Sequence, residues 1–349
     1  MIGVDLFAGA GGMSLGAQLA GIDIRICIEN DPHAVLTYVH NHPEVNVFAE
    51  DIRKYNPSNT FLGNEPTILF GGPPCQGFST SNQRTRTSEN PNNWLFNEFI
   101  RVVKIHKPTW VVFENVKGIL ETEGGKFFNY TYKALKRIGY TLSDCVLNAA
   151  DFGVPQIRSR VFIVGNVDGV EFTYPAFTAN KHVTTWEAIA DLPELRNGAN
   201  INCLMYRGNP ISTYASTMRG TQEFCSNHLV TRNADHIIER YKHIPQGGNW
   251  ENIPEELMSN YADRFRCHTG IYRRLTTDSP SVVIGNYRKN MLIHPYEDRG
   301  LSVREASRLQ SFPDSYEFKG SIGFQQQQVG NAVPPLLAKA IFDKVLQYR

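Results

Sequence analysis

Apolar residues come in short unbroken runs over the first half of the chain and lose that order over the second. Residues 2–7, 24–29, 67–70, 110–114 and 161–165 are dominated by consecutive apolar side chains, the pattern of strands buried on both faces of a parallel sheet. Between them, residues 13–20 read as a helix stopped by Gly21. Residues 95–106 place Leu95, Phe96, Phe99, Val102 and Val103 at helical spacing until Pro108 closes the segment. Alternating strands and helices predict an α/β fold, a doubly wound and mostly parallel sheet with ligands at the carboxyl ends of its strands. From about residue 175 the pattern weakens. Residues 196–270 are rich in Asn, Gly, Arg, Tyr and Pro without sustained periodicity, as in a loop-rich domain that serves contact more than scaffold. Order returns at a helix over 302–310, which ends in Ser311-Phe312-Pro313-Asp314, and at an amphipathic helix over 335–346. The expected division is one domain from 1–177 plus 322–349 and a smaller one from 178–321.

Composition narrows the class without deciding it. At 349 residues the chain can bury a large core in two domains. Residues 2–7 contain Asp5 and follow no basic segment, so they read as a strand and not as a signal peptide, and no apolar run is long enough to span a bilayer. The six cysteines are far apart, with no CxxC or Cys/His ligand spacing, so free thiols in a reducing cytoplasm are expected, and no metal. Net charge is +1, but residues 178–349 carry 20 basic against 17 acidic side chains, with Arg outnumbering Lys. Arginine is the usual reader of guanine edges and phosphates, although a solvated mixed-charge surface has the same composition.

The candidate chemistry lies where strands end. Asp5-Leu6-Phe7-Ala8-Gly9-Ala10-Gly11-Gly12 joins the first strand to the first helix, and glycines there let backbone approach a ligand at a helix N-terminus. Glu29 ends the second strand, where a carboxylate can take a ribose hydroxyl pair; Asp51-Ile52 follows the third and could hold an adenine amino group. These residues fit a dinucleotide and S-adenosylmethionine about equally. Ser14 in place of the third glycine of GxGxxG, and the lack of a hydride-transfer site, weigh against the dinucleotide. Gly71-Gly72-Pro73-Pro74-Cys75-Gln76-Gly77-Phe78-Ser79 presents a cysteine after an apolar strand on a rigid Pro-Pro step, a geometry suited to a nucleophile. Alone, the segment reads better as a buried cysteine after an ordinary turn. Glu114-Asn115-Val116 ends another strand, and a carboxyl group in that half-apolar setting is expected to hold a proton near neutrality. Gln156-Ile157-Arg158-Ser159-Arg160 puts Gln156, Arg158 and Arg160 on one face at period two, unless the alternation is a solvated edge.

Taken together, these segments make the chain resemble the cytosine-C5 DNA methyltransferases of bacterial restriction–modification systems. The matching motifs are Asp5–Gly12, Pro73-Pro74-Cys75-Gln76, Glu114-Asn115-Val116, Gln156-x-Arg158-x-Arg160, the run from Arg304 to Asp314, and Gly330-Asn331-Ala332-Val333-Pro334. They occur in the family's order and cover the chain except for roughly 178–270.

The resemblance implies a Rossmann-like, S-adenosylmethionine-dependent methyltransferase fold with a smaller target-recognition domain. It also implies transfer of a methyl group to C5 of a cytosine flipped out of a specific duplex sequence. Cys75 would attack C6, Glu114 would contact N3 and the exocyclic amine, Arg160 the base carbonyl, and Arg158 would order the site. S-Adenosylmethionine would lie across Phe7, Gly9, Ala10, Gly11, Glu29, Asn30, Asp51, Ile52, Pro74, Leu95, Asn331 and Val333. Residues 76–93 would close over the flipped base, with Gln76, Ser79, Arg84 and Arg86 on the DNA. Residues 178–270 would read the major groove, supported by 272–293. The turn Gly247-Gly248-Asn249-Trp250 would face the groove unless Trp250 belongs to the small-domain core. The implied partner is duplex DNA with a short recognition sequence, met by a monomer without a membrane. A cognate restriction endonuclease would share the site and need not bind. Two departures stand out: Asn30 replaces the aromatic residue that stacks on adenine in many members, and Asn93-Trp94 replaces Arg-Gly. The rivals are an RNA cytosine methyltransferase of the same family, an NAD-linked oxidoreductase, and a DNA-binding module without catalysis.

Overall fold

The computed structural model of the chain describes residues 1–59, 65–74, 94–177, 181–206, 208–259, 270–285, 287–289 and 291–348. They divide into two compact units. The first comprises Met1–Phe152, Ser159–Thr178 and Pro335–Arg349, and the second Gly153–Arg158 and Ala179–Pro334.

The first unit runs β1 (Ile2–Leu6), α1 (Gly12–Leu19), β2 (Asp23–Ile28), α2 (Pro32–Asn41), β3 (Asn46–Phe48), β4 (Thr67–Gly71), α3 (Phe96–His106), β5 (Trp110–Val116), α4 (Lys126–Ile138), β6 (Thr141–Asn148) and β7 (Ser159–Asn166). One seven-stranded sheet has the order β3-β2-β1-β4-β5-β7-β6. β1 to β5 pair in parallel, as the unbroken apolar runs predict, and all five residues of β1 are buried. β7 lies antiparallel to both β5 and β6. The link from Asn148 to Ser159 contains no crossover helix of the kind a parallel return needs. α3 buries Phe96, Phe99, Val102 and Val103, and α4 buries Phe127, Thr131 and Leu135, in both cases at helical spacing. Their apolar side chains form one core with Leu6, Val111, Phe113, Val161 and Ile163.

Strand order reverses between β1 and β4, so the crevice beyond their carboxyl ends is the topological switch point where open α/β sheets bind ligands. The two strands meet closely there. Leu6 is paired with Gly71, and a Cβ on Gly71 would lie 2.0 Å from the Leu6 carbonyl oxygen, so only glycine fits. The loop after β1 and the Pro73-Pro74 step after β4 therefore begin side by side.

The second unit contains α5 (Thr185–Ile189), β8 (Cys203–Met205), α6 (Thr213–Arg219), β9 (Phe224–Ser226), α7 (Asp235–Lys242), α8 (Val303–Leu309) and α9 (Ile322–Asn331). α8 starts in a capping box: Glu305 N donates to Ser302 Oγ, and Ser302 N donates to the Glu305 carboxylate. Its arginines point inward. Arg308 is fully buried and paired with both Asp191 and Asp314, while Arg304 donates to the carbonyls of Ser226, Pro313 and Tyr316. Arg299 grips Glu305 through two bonds of 2.9 and 2.7 Å. Burial alone would favour the protonated acid, but Arg299 holds the Glu305 carboxyl well below the usual carboxylate range. A unit poor in apolar periodicity is thus built partly on a satisfied polar interior.

Of the two readings left open for the Gly247–Trp250 turn, the core one holds: Trp250 is 6% exposed and packs with Tyr241, Ile244, Ile253, Met258, Tyr272 and Ile293. The chain returns to the first unit at Pro335 and not at 322, because Gln325 and Gln326 of α9 bond to Asn227 and Thr231 of the second unit. Gln156 and Arg158 group with the second unit and Arg160 with the first.

α10 (Pro335–Leu346) closes the first unit, and Phe342 meets Phe70 of β4 edge-on at 4.9 Å.

Candidate active site

Two clusters sit at the carboxyl edge of the first unit's sheet. The first is built on the loop from β1 to α1. Phe7 adopts φ 60°, a conformation rare for a residue with a side chain, while its ring packs partly against the core. Gly11 takes φ 81° at the N-cap of α1, where no side chain caps the helix. The first amide groups of α1 are therefore left facing the loop. A Cβ on Gly9 would meet nothing within 4 Å, so space lies over the loop. Glu29 closes this cluster: its carboxylate accepts from Gly9 N at 2.7 Å and from Asn30 N and Asp31 N at 2.8 Å each. Burial pushes the Glu29 carboxyl up, and those three amides oppose it. An electropositive helix end, open glycine backbone and a fixed carboxylate suit a nucleoside-bearing ligand. Asn30 is exposed, Ala10 is buried and Leu95, at the N-cap of α3, is half-buried. Ile52 is buried beneath the edge. Asp51 caps the turn at Ile52–Lys54; hydrogen bonds from the Arg53 side chain, then from its backbone, lower its carboxyl to about 2.

Beneath this loop Asp5 is 1% exposed and accepts a hydrogen bond from Ser14 Oγ at 2.7 Å, and that hydroxyl also meets Tyr38 Oη at 2.6 Å. Burial raises the Asp5 carboxyl from 3.8 to about 8, with Ser14 opposing and Glu29 adding to the rise. Because the folded value lies above the unfolded one, the uncharged acid leaves stability intact below about pH 4. Stability is then lost progressively as pH rises toward 8. Asp5→Asn, which keeps an acceptor for Ser14 without the titration, is expected to gain on the native chain by up to about 1.4 kcal/mol per pH unit across that window. Thermal melts at pH 5 and pH 8 check this, and a constant difference between the two would refute it.

The second cluster joins β4, β5 and β7. Glu114 Oε1 lies 3.0 Å from Arg160 Nε, with the side chains 9% and 10% exposed. In the antiparallel register Glu114 opposes Phe162, so Arg160 reaches it diagonally from two residues along. Arg160 also donates to the Ser159 carbonyl at 2.8 Å. Gly72 lets the carboxyl approach the β4 turn, since a Cβ there would meet Glu114 Oε2 at 2.4 Å. Asn115 Nδ2 donates to the Pro73 carbonyl at 3.2 Å and so ties the Pro-Pro step to β5. Sequence reading gave no role to Gly72 or Asn115; their only signal was their place beside Pro73 and Glu114.

Arg158 is 1% exposed and donates to the carbonyls of Gly330 at 3.0 Å, Ala332 at 3.1 Å and Ile284 at 3.4 Å. Gln156 extends this network to Leu309, Gln310 and Ile284. Arg158 therefore acts as a buried tie within the second unit and not as a group presented to a substrate. It braces the segment carrying Asn331, which is exposed, and Val333, which is half-buried. Pro74 is half-buried at the end of its described segment. Cys75, Gln76, Ser79, Arg84 and Arg86, with the expected closing segment 76–93, lie outside the described residues.

Among the described residues no helix is long and apolar enough to cross a membrane. Solved structures agree on the fold. A prophage-encoded E. coli protein, described as a DNA modification methyltransferase, superposes with a TM-score of 0.81 over 99% of both chains at 24% identity. In sequence, the chain is 38% identical to the type II methyltransferase M1.HphI of Haemophilus parahaemolyticus, over 99% of this chain and 86% of that protein. It is 33% identical to M.DdeI of Desulfomicrobium norvegicum, over 99% of this chain and 88% of that protein. A family profile described as C-5 cytosine-specific DNA methylase matches residues 1–347. These matches imply a methyl donor and a DNA substrate, and the RNA alternative is not favoured. With its mostly parallel Rossmann-like sheet and matches spanning nearly its whole length, this chain belongs to the C-5 cytosine-specific DNA methylase family.

Proposed function

We propose that the chain transfers a methyl group from S-adenosylmethionine to C5 of a cytosine extruded from a short, specific sequence in duplex DNA. Bound at the Phe7–Gly12 loop and Glu29, the donor supplies an electrophilic methyl group on a sulfonium. The observation that carries this reading is the Glu114–Arg160 pair held beside the Gly72–Pro74 turn, at the edge where the open glycine loop also lies.

Cytosine is a poor nucleophile at C5. Attack by the Cys75 thiolate on C6 forms a sulfur–carbon bond, pushes the ring's electrons toward N3 and makes C5 an enamine carbon. Glu114 contacts N3 and the exocyclic amine, and Arg160 contacts the carbonyl, so the charge developing on the ring meets fixed partners. C5 would then take the methyl group as the donor's methyl–sulfur bond breaks, leaving a neutral thioether. Loss of the C5 proton to solvent returns an electron pair to the C5–C6 bond and expels the thiolate, which regenerates the enzyme. Extruding the base costs a few kcal/mol, offset by packing and hydrogen bonds in the pocket. Arg158 braces the segment that carries Asn331 and Val333. Gln76, Ser79, Arg84 and Arg86 engage DNA around the extruded base. The second unit reads the sequence, and the protein works as a monomer in the cytoplasm, where it protects DNA from an endonuclease with the same site.

Bisulfite sequencing of a plasmid recovered from cells expressing the chain tests this reading. Full protection of one cytosine in every copy of a single short motif is expected, and purified protein should reproduce it only with S-adenosylmethionine. Unprotected cytosines throughout, or methylation on an exocyclic nitrogen, would overturn it.

A further inference from the structure

A groove of about 570 Å³ runs between the C-terminal halves of α3 and α4, far from both clusters described above. Its floor is Ile100, Tyr130, Ala134 and Ile138, and its walls carry Lys104 and Lys107 on one side and Lys133 and Arg137 on the other. All four cations are exposed, and none has an ion pair among the described residues, whereas Arg101 and Lys126 on the same two helices are paired with Glu98 and Glu123. Among the described residues, no acidic side chain lines the groove.

Helix dipoles explain part of this, because cations are favoured in the last turn of a helix. They account for Lys104 and Arg137 but not for Lys133, which lies more than a turn further back. They favour a cation at Lys107 too, but not its backbone conformation. That residue occupies the left-handed C-cap of α3 at φ 47°, where glycine or asparagine would be less strained. A lysine at such a position, beside Lys104 and across the groove from Lys133 and Arg137, fits a ligand that needs its charge.

β5 and β6 both begin at the edge where α3 and α4 end, and Glu114 lies near the opposite end of β5. Seven residues at about 3.3 Å each put the groove about 20 Å from the edge that carries the chemistry. On each wall the cations are three or four residues apart, about one helical turn, a repeat suited to successive phosphates along a strand.

We infer that this groove is a second DNA contact, which holds the phosphodiester backbone of a duplex segment outside the target site and keeps the enzyme on long DNA. The inference rests on the reading that the chain acts on DNA. An acidic peptide offers the same charge, but DNA is the polyanion that the enzyme already engages, so a distal segment of the same molecule is present at high effective concentration.

The test is a variant combining Lys104→Gln, Lys107→Gln, Lys133→Gln and Arg137→Gln, compared with the native chain and with a Lys104→Arg, Lys107→Arg, Lys133→Arg variant that keeps the charge. Affinity for a long duplex lacking the target should fall about tenfold in the neutralised variant at moderate salt, and the slope of log affinity against log salt should lose about 2 to 4 units. The charge-preserving variant should behave like the native chain. Methylation of a duplex of about 14 base pairs carrying the target should fall much less than affinity for the long duplex, because the substitutions leave the contacts at the reactive edge untouched. Unchanged affinity and slope would overturn the inference, as would an equal loss on the short duplex or tighter retention of polyglutamate than of DNA by the native chain. Failure of the native chain to methylate either duplex would instead strike at the proposed function, while the binding comparison would still decide the groove.

Discussion

Replacing Cys75 by serine is expected to lower methyl transfer by about 10³-fold or more, while a duplex carrying the target still binds. Sulfur ionises within reach of neutral pH and is strongly nucleophilic as the thiolate; a serine hydroxyl stays protonated and needs a base that this scheme does not provide. The scaffold for that attack comes from the residues just before it. Asn115 holds the Pro73 carbonyl, and the two prolines restrict the backbone leading to residue 75. Duplex DNA with 5-fluorocytosine at the target extends the test, because fluorine cannot leave C5 as a proton does. The native chain should form an adduct that survives denaturation in the presence of the donor, and Cys75→Ser should form none. Full activity in the serine variant would exclude covalent catalysis by Cys75.

Glu114→Gln should reduce turnover by about 10²- to 10³-fold with little change in DNA affinity, because the lost interaction strengthens as charge develops on the ring. It also leaves Arg160 mostly buried without its anion, so stability should fall by about 1–3 kcal/mol. A double variant, Glu114→Gln with Arg160→Gln, separates the two effects. Removing the orphaned charge should restore much of the stability and none of the activity. Single-turnover methylation and thermal melts on the same preparations provide both readings. A double variant that regained turnover would show that the pair serves only to hold β5 to β7.

Much of the scaffold was legible along the chain. The buried parallel strands β1, β4 and β5 announce themselves as unbroken apolar runs, and α3 by apolar residues at helical spacing before Pro108. β6 escaped notice because only one of its eight positions is buried, which leaves a mixed polar pattern on the sheet edge. The second unit was hard to read for a different reason. Its interior relies on Arg299, Arg304 and Arg308 bonded to carboxylates and carbonyls, and arginine normally signals surface. In the site, motif order pointed to Glu114 and Arg160 but not to their partnership, since the register of β5 against β7 comes from strands 40 or more residues apart.

By itself the sequence determined the fold class, the family and the strand ends that carry chemistry, because burial patterns and turn residues are local and survive without neighbours. Only the tertiary structure decided which charges meet. It sent Arg160 to Glu114 and enclosed Arg158 as a tie, although the two stand alike in the motif. It also left four cations of α3 and α4 without acids around one groove. Partnership between charges depends on distances across the fold, and no spacing along the chain encodes those.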